Sequence, residues 1–188
     1  MTIPFDAPHL LLNRFTMKAC NLAYYHRHVS KCTEEIMHYD PFFYPLDAIH
    51  GWNRLYGSRG FLQYQCVVPF DGDGGAIQEM LQRVVRTGEA SFLSVLKIFG
   101  AKRSPGMLSF PRPGVTLALD LPNAGAPTLR LLEELDDIVR LSGGAVYPAK
   151  DARMSSDNFK IFFPKWEEFC RYLDPQFSSN FWRRVTGL

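Results

Sequence analysis

Cysteine is scarce in this sequence: Cys20, Cys32, Cys66 and Cys170 are the only four in 188 residues, and no CxxC pair exists. Their spacing forms no disulfide framework and points to a reducing, cytoplasmic setting. Cys20, His26, His28 and Cys32 lie near one another, but only His28 and Cys32 stand in an i,i+4 relation. Their order fits no zinc-ligand spacing, so no metal is expected. Long apolar runs are missing, and none reaches the ~20 residues that span a bilayer. The start, MTIPFDAPHL, has no basic segment leading into an apolar one, so no signal peptide is expected. Charge of one sign is also lacking. Lys and Arg number 21 against 19 Asp and Glu, a net +2 that gives no argument for nucleic acid. No GxSxG, HExxH, GxxxxGK[ST] or strand-following GxGxxG occurs. The glycines at Gly72, Gly74 and Gly75 are interleaved with Asp71 and Asp73, which would repel phosphate.

What the chain does contain is apolar and aromatic. Hydrophobic residues make up 46% and aromatics 14%, including 15 Phe. That is enough for one folded domain, with apolar surface to spare for a ligand. A helical pattern is expected from Leu10 to about Ile36. Leu11, Phe15, Ala19, Leu22 and Val29 trace an apolar stripe, opposite Arg14, Lys18, Asn21 and His28. The stripe suits packing on the domain; a basic amphipathic helix on a membrane surface is the alternative. HYDPFFYPLD follows, broken by Pro41 and Pro45; its aromatics suit a lid on the core or a pocket mouth.

From about residue 60 to 148 the order is strand, helix, strand, then strand, helix, strand. Phe61–Pro69 is the first strand and Ala76–Thr87 the first helix. Ser91–Gly100 and Val115–Leu121 are the middle strands. A helix with Pro127 in its first turn runs to the Gly143-Gly144 stop, and Ala145–Tyr147 is the last strand. This is the split βαβ of a ferredoxin-like α+β domain with an antiparallel sheet. A helical tail over 155–188 is expected in three short pieces, capped at Ser156 and at Ser178 or Ser179. The acid doublets Glu133-Glu134 and Asp136-Asp137 read as the solvated face of the second helix.

Period-2 alternation puts Gln63 and Gln65 on one face of the first strand, Lys97 and Phe99 together on the next, and Thr116 and Ala118 together on the third. Polar residues on one face of three neighbouring strands mean that this face meets water or a polar ligand. Phe61 and Phe99 favour a pocket over a plain wet face. The basic and aromatic signature of RNA-binding βαββαβ domains is absent.

The segments RFTMKACNLAYYHR, DPFFYPLD, WNRLYGSRGFLQYQCVVP, LKIFG, LSFPRPGVTLALDLP and GAVYPAKDAR together resemble the C-terminal half of FAD-linked oxidoreductases of the vanillyl-alcohol-oxidase superfamily. The likeness is to the decaprenylphosphoryl-ribose 2-oxidase branch and its bacterial relatives, with aldonolactone oxidases more distant. The resemblance implies that residues 1–188 are a single cap domain that binds substrate over a flavin. The FAD itself is held by a domain outside these residues, in cis or in trans. The substrate implied is a sugar-like or lipid-linked sugar alcohol. Lys150, in YPAKD, matches the lysine that reaches flavin and substrate, and so carries both the catalytic and the cofactor-binding expectation. Tyr147, Gln63, Gln65, Lys97 and Phe99 match pocket-lining positions, and Tyr44 matches the pocket mouth. Thr116 and Ala118 stand where that branch carries asparagine and cysteine, so thiol-directed inhibitor chemistry should not transfer. A lysine at a strand exit suits this role, because a fixed ammonium in a dry site stabilises the negative charge of a reduced flavin. The plain alternative is a solvated lysine paired with Asp151. An isolated cap exposes apolar surface, so self-association is expected, as is peripheral membrane contact. Two other readings stand beside this one: a flavin-free ligand-binding module, and a protein-interaction domain.

Overall fold

The computed structural model describes residues 2–8, 13–44, 47–70, 72, 74–88, 91, 93–150 and 153–187. The first expected helical turn at Leu10–Leu12, as well as Pro45 and Asp151, lies outside them.

Four strands form one sheet: β1 (Phe61–Val68), β2 (Ser94–Phe99), β3 (Gly114–Pro122) and β4 (Ala145–Val146). Their order is β2-β3-β1-β4 and every pairing is antiparallel. Helix α3 (Gly75–Thr87) connects β1 to β2, and α4 (Ala126–Leu141) connects β3 to β4. Each crossover therefore skips one strand, which is the split βαβ arrangement expected from the sequence. The crossovers begin and end where the local chemistry says. Gly74 and Gly88 flank α3 with φ of 74° and 71°, Pro127 sits in the first turn of α4, and Gly143 takes φ 68° just beyond it.

One face of the sheet is packed. Tyr64, Cys66 and Val68 of β1 and Leu117, Leu119 and Leu121 of β3 are buried together with Ile77, Met80 and Val84 of α3 and Leu131, Leu132, Leu135 and Val139 of α4. Each fully buried side chain of this kind contributes about 1.5–3 kcal/mol relative to exposure. Glycine is required at Gly144, where a Cβ would lie 2.3 Å from the Val67 carbonyl oxygen. The tail adds α5 (Ser156–Phe162), α6 (Trp166–Cys170) and α7 (Asn180–Thr186). Ser155 caps α5 and Ser179 caps α7, each accepting from a backbone N–H three residues on. Phe159, Phe162, Phe163 and Val185 join the tail to the core.

Two expectations are corrected. Helix α1 covers Arg14–Tyr25 only and does not run on to Ile36. Asn13 caps it, accepting from the N–H groups of Phe15 and Thr16, and residues 29–31 bend. Its apolar stripe does not pack on the domain: Phe15 is 69% exposed, Leu22 58% and Val29 102%. The acid run on α4 is also not uniformly solvated. Asp136 is 1% exposed. Its Oδ2 lies 3.0 Å from the Arg153 guanidinium, and its Oδ1 accepts from the Tyr64 hydroxyl at 3.0 Å. Period 3.6 explains this, since Asp136 falls on the same stripe as Leu132 and Val139.

Candidate functional site

The second face of the sheet is more polar, and Val67, Thr116 and Asp120 on it are buried. Gln63 and Gln65 project from β1, Val95, Lys97 and Phe99 from β2, and Thr116, Ala118 and Asp120 from β3, because alternate residues share a face and the register sets Gln63 opposite Asp120, Gln65 opposite Ala118 and Lys97 opposite Thr116. The two glutamines are tied across the sheet. Gln65 Nε2 donates to Thr116 Oγ1 at 3.3 Å, and Gln63 Nε2 donates to Asp120 Oδ1 at 3.1 Å. Each side chain is thereby held in one direction, with hydrogen-bonding capacity left over for a ligand.

Aromatic rings close one end of this face. Phe110, from the loop before β3, stands with its ring centroid 5.9 Å from Phe99 and 4.7 Å from Tyr147. Phe99 ends β2 and Tyr147 follows β4, so the three rings bridge the two edges of the sheet. At the other end Tyr56, in a 3-10 turn at Trp52–Tyr56, stacks on Phe61 at 4.4 Å. The middle of the face is a polar floor between two aromatic walls.

Lys150 ends a 3-10 turn, Pro148–Lys150, immediately beyond β4. The Tyr147 N–H bonds the Gln65 carbonyl at 2.8 Å, and the Lys150 N–H bonds the Tyr147 carbonyl at 3.2 Å. The lysine is therefore anchored to the same strand that carries the glutamines. Lys150 is half-buried and shares a small cavity with Gln63, Tyr64, Asp136 and Arg153. The structure thus groups Gln63, Gln65, Lys97, Phe99, Thr116 and Ala118 on one face, with Tyr147 at its edge beside Phe110, and sets Lys150 at a cavity shared with Gln63 and with Tyr64 and Asp136 of the packed side. It gives Tyr44 no contact with them. Tyr44 follows α2 (Tyr39–Phe43), is 57% exposed, and has its ring 6.5 Å from that of Phe43.

Sequence reasoning passed over two residues here. Phe110 sits in a proline-rich loop with no periodicity to mark it. Asp120, two residues on from Ala118, was given no role, although it is the one carboxylate among the described strand residues of that face. Burial raises the Asp120 pKa above its ordinary value, against the opposing pull of hydrogen bonds from Gln63 and Trp52 and of the Lys150 charge. On the packed face, burial pushes the Cys66 thiol up to about 12, which makes it an inert core thiol. Among the described residues no group of three His, Cys, Asp or Glu is placed to hold a metal. No described helix is long and apolar enough to cross a membrane.

Fold and face together define an α+β domain with one side of its sheet packed by helices and the other polar in the middle, with aromatic rings at both ends. No protein-family model matches the chain. It is 37% identical, over 98% of its length, to decaprenylphosphoryl-beta-D-ribose oxidase of Mycolicibacterium smegmatis, of which it covers 40%. It is 33% identical, over 74% of its length, to an uncharacterized protein in the mprA 5' region of Streptomyces coelicolor, covering 39% of it. The chain spans about two-fifths of the length of these relatives. The resemblance to the decaprenylphosphoryl-ribose oxidase branch is borne out over 98% of the chain, which matches about two-fifths of that oxidase.

Proposed function

We propose that this chain is the substrate-binding cap portion of an FAD-dependent oxidoreductase that oxidises an alcohol of a sugar or lipid-linked sugar. The observation that carries the reading is the polar row of Gln63, Gln65, Thr116 and Asp120 on one sheet face, with rings at both ends and Lys150 near enough to act on Asp120. Relatedness to an oxidase acting on a ribose-bearing lipid supports it.

Amide and lysine donors between flat rings support a face that would meet the ring end of a flavin and a hydroxylated substrate. A bound flavin supplies the hydride acceptor. Lys150 would provide a positive charge for the electron-rich edge of the ring and for an oxygen of the substrate. Gln63 and Gln65 orient hydroxyl groups through their free amide hydrogens and oxygens. Phe99, Phe110 and Tyr147 exclude water from one end, and Lys97 offers a second cation at the β2 edge. A flavin-binding domain, in cis or in trans, completes the enzyme. The 188 residues alone do not turn over substrate, and the complete protein works in the cytoplasm, with the exposed apolar side of α1 available for peripheral membrane contact.

A second reading, a flavin-free binding or interaction module that self-associates, draws on a different observation. Leu96 and Ile98 of the edge strand β2 are 57% and 72% exposed, beside an apolar groove lined by Ile77, Leu81, Val85 and Val115.

The deciding measurement is the visible spectrum of the product of the complete coding sequence, purified and then mixed anaerobically with polyols. A flavin band bleached by a polyol is expected. Lys150→Met should slow that bleaching by about 10²-fold or more, with a smaller change in KM. Bleaching at the wild-type rate in Lys150→Met removes the lysine from the mechanism. A protein without flavin leaves the module reading.

A further inference from the structure

Gln63 and Gln65 share the polar face of β1, and their side-chain amides are held in different ways. Gln65 Nε2 donates to Thr116 Oγ1 at 3.3 Å. A hydroxyl can donate as well as accept, so Gln65 is held in direction but not in polarity. Gln63 Nε2 donates to Asp120 Oδ1 at 3.1 Å. An ionised carboxylate only accepts, so the Gln63 amide turns its NH2 toward Asp120 and its oxygen away. Asp120 is itself fixed: it is 3% exposed, and the Trp52 side chain adds a hydrogen bond to its carboxyl group. A proton taken up on the unbonded Oδ2 leaves Oδ1 an acceptor, so the orientation outlasts a change of charge. Gln63, unlike Asp120, is exposed. It also lines a cavity of about 20 Å³ together with Lys150, so amide and lysine share a space the size of one water molecule.

We propose that Asp120 is a positioning residue: from its buried place it fixes the Gln63 amide so that Gln63 Oε1, and not Nε2, is offered to a substrate hydroxyl group on the exposed side. The proposal rests on the reading of this face as a sugar-alcohol site, and it names the atom that receives the hydroxyl and the residue that orients it. Asp120 needs no contact with the ligand. It keeps the amide from turning over, which a half-turn about the last side-chain bond would otherwise allow. An exposed acceptor takes a hydroxyl or an ammonium. Lys97 on the same face and Lys150 beside Gln63 oppose a further cation, so the neutral hydroxyl is the donor selected.

The test uses the complete protein with D-ribose and ribitol as probes. Affinity is read by calorimetry, kcat and KM by flavin bleaching, and folding by thermal melting. Gln63→Leu, a change at an exposed position, should weaken polyol binding about tenfold. Asp120→Leu should weaken it by a factor between that and about twofold, the loss for an amide that stands the right way round half the time. The loss should fall on KM, with kcat nearly unchanged, because the interaction is one of binding. In the Gln63→Leu protein, Asp120→Leu should have no further effect. Gln63→Glu should restore affinity to the Asp120→Leu protein, because either oxygen of a carboxylate accepts and no orienting partner is needed. The same Gln63→Glu change in the wild-type background sets two carboxylates against each other and should weaken binding. Should Asp120→Leu fail to fold, Asp120→Ala removes the same acceptor with less bulk and carries the same expectations. A merely structural Asp120 predicts equal losses in both Gln63 backgrounds and no rescue by Gln63→Glu. Either result overturns the proposal, as does a Gln63→Leu protein of wild-type affinity or a wild-type protein that binds neither probe. The two readings fail separately. Polyol bleaching of the flavin with a KM that Gln63→Leu and Asp120→Leu leave unmoved defeats the role of Asp120 alone. Polyol binding that both variants weaken, in a protein without flavin, supports Asp120 and defeats the oxidoreductase reading.

Discussion

Two aspartates lie buried on opposite sides of one sheet, 3% and 1% exposed, in opposite circumstances. Asp136, between α4, β1 and the tail, has a guanidinium, a phenol and an amide around its two oxygens. Asp120, on the opposite face, has one oxygen bonded and one buried without a hydrogen-bond partner. Burial raises both pKa values above the ordinary 3.8, and in both cases it outweighs the neighbours that pull the other way. The difference is in what surrounds them. One carboxylate is surrounded by donors from its own chain, and the other is buried with half of its hydrogen-bonding capacity unused.

The largest effect expected from pressing this comparison is at the brace. Arg153→Met leaves the Asp136 charge buried and uncompensated, and should lower unfolding free energy by about 3–5 kcal/mol in urea titrations. A loss under ~1 kcal/mol would mean that Asp136 is neutral in the folded protein. Tyr64→Phe removes one donor from the same carboxylate and should cost about 1.5–3 kcal/mol. A smaller change is expected at Asp120, and it depends on pH. A carboxyl with a raised folded-state pKa favours folding below its unfolded value and loses that contribution as pH rises through the folded one. Asp120→Asn should therefore match wild-type stability near pH 3.8 and gain on it as the pH is raised, in melts across the acid range. A gap that widens on acidification instead would show that the Asp120 charge is stabilised in the fold. Smallest of all is Arg83→Ala, which breaks exposed ion pairs to Glu79 and Glu134 and should leave the unfolding midpoint unchanged within error.

The arrangement of strands was legible because each element carries its own punctuation: Gly74, Pro127 and Gly143 mark the crossovers, and period-2 alternation marks the strands. The cleft face was legible for the same reason, through Gln63, Gln65, Lys97 and Thr116. Asp136 was misread although its signal was available, because an acid doublet draws attention to charge and away from the i,i+4 relation to Leu132. The length of α1 was overread because its apolar spacing continues to Val29 while residues 29–31 bend. Phe110 had no local signal. Its place is fixed by rings from β2 and from the β4 exit, a relation that only the closed sheet creates.

The split connections also set the timing of assembly. The bond from Gln63 to Asp120 spans 57 residues and that from Gln65 to Thr116 spans 51, and both await the insertion of β3 beside β1. Contacts of such separation close late, after the entropy of the intervening loops has been lost. Lys150 lies just beyond β4, which pairs on the far side of β1. On the reading proposed above, the ligand face is complete only when β3 and β4 have both paired with β1.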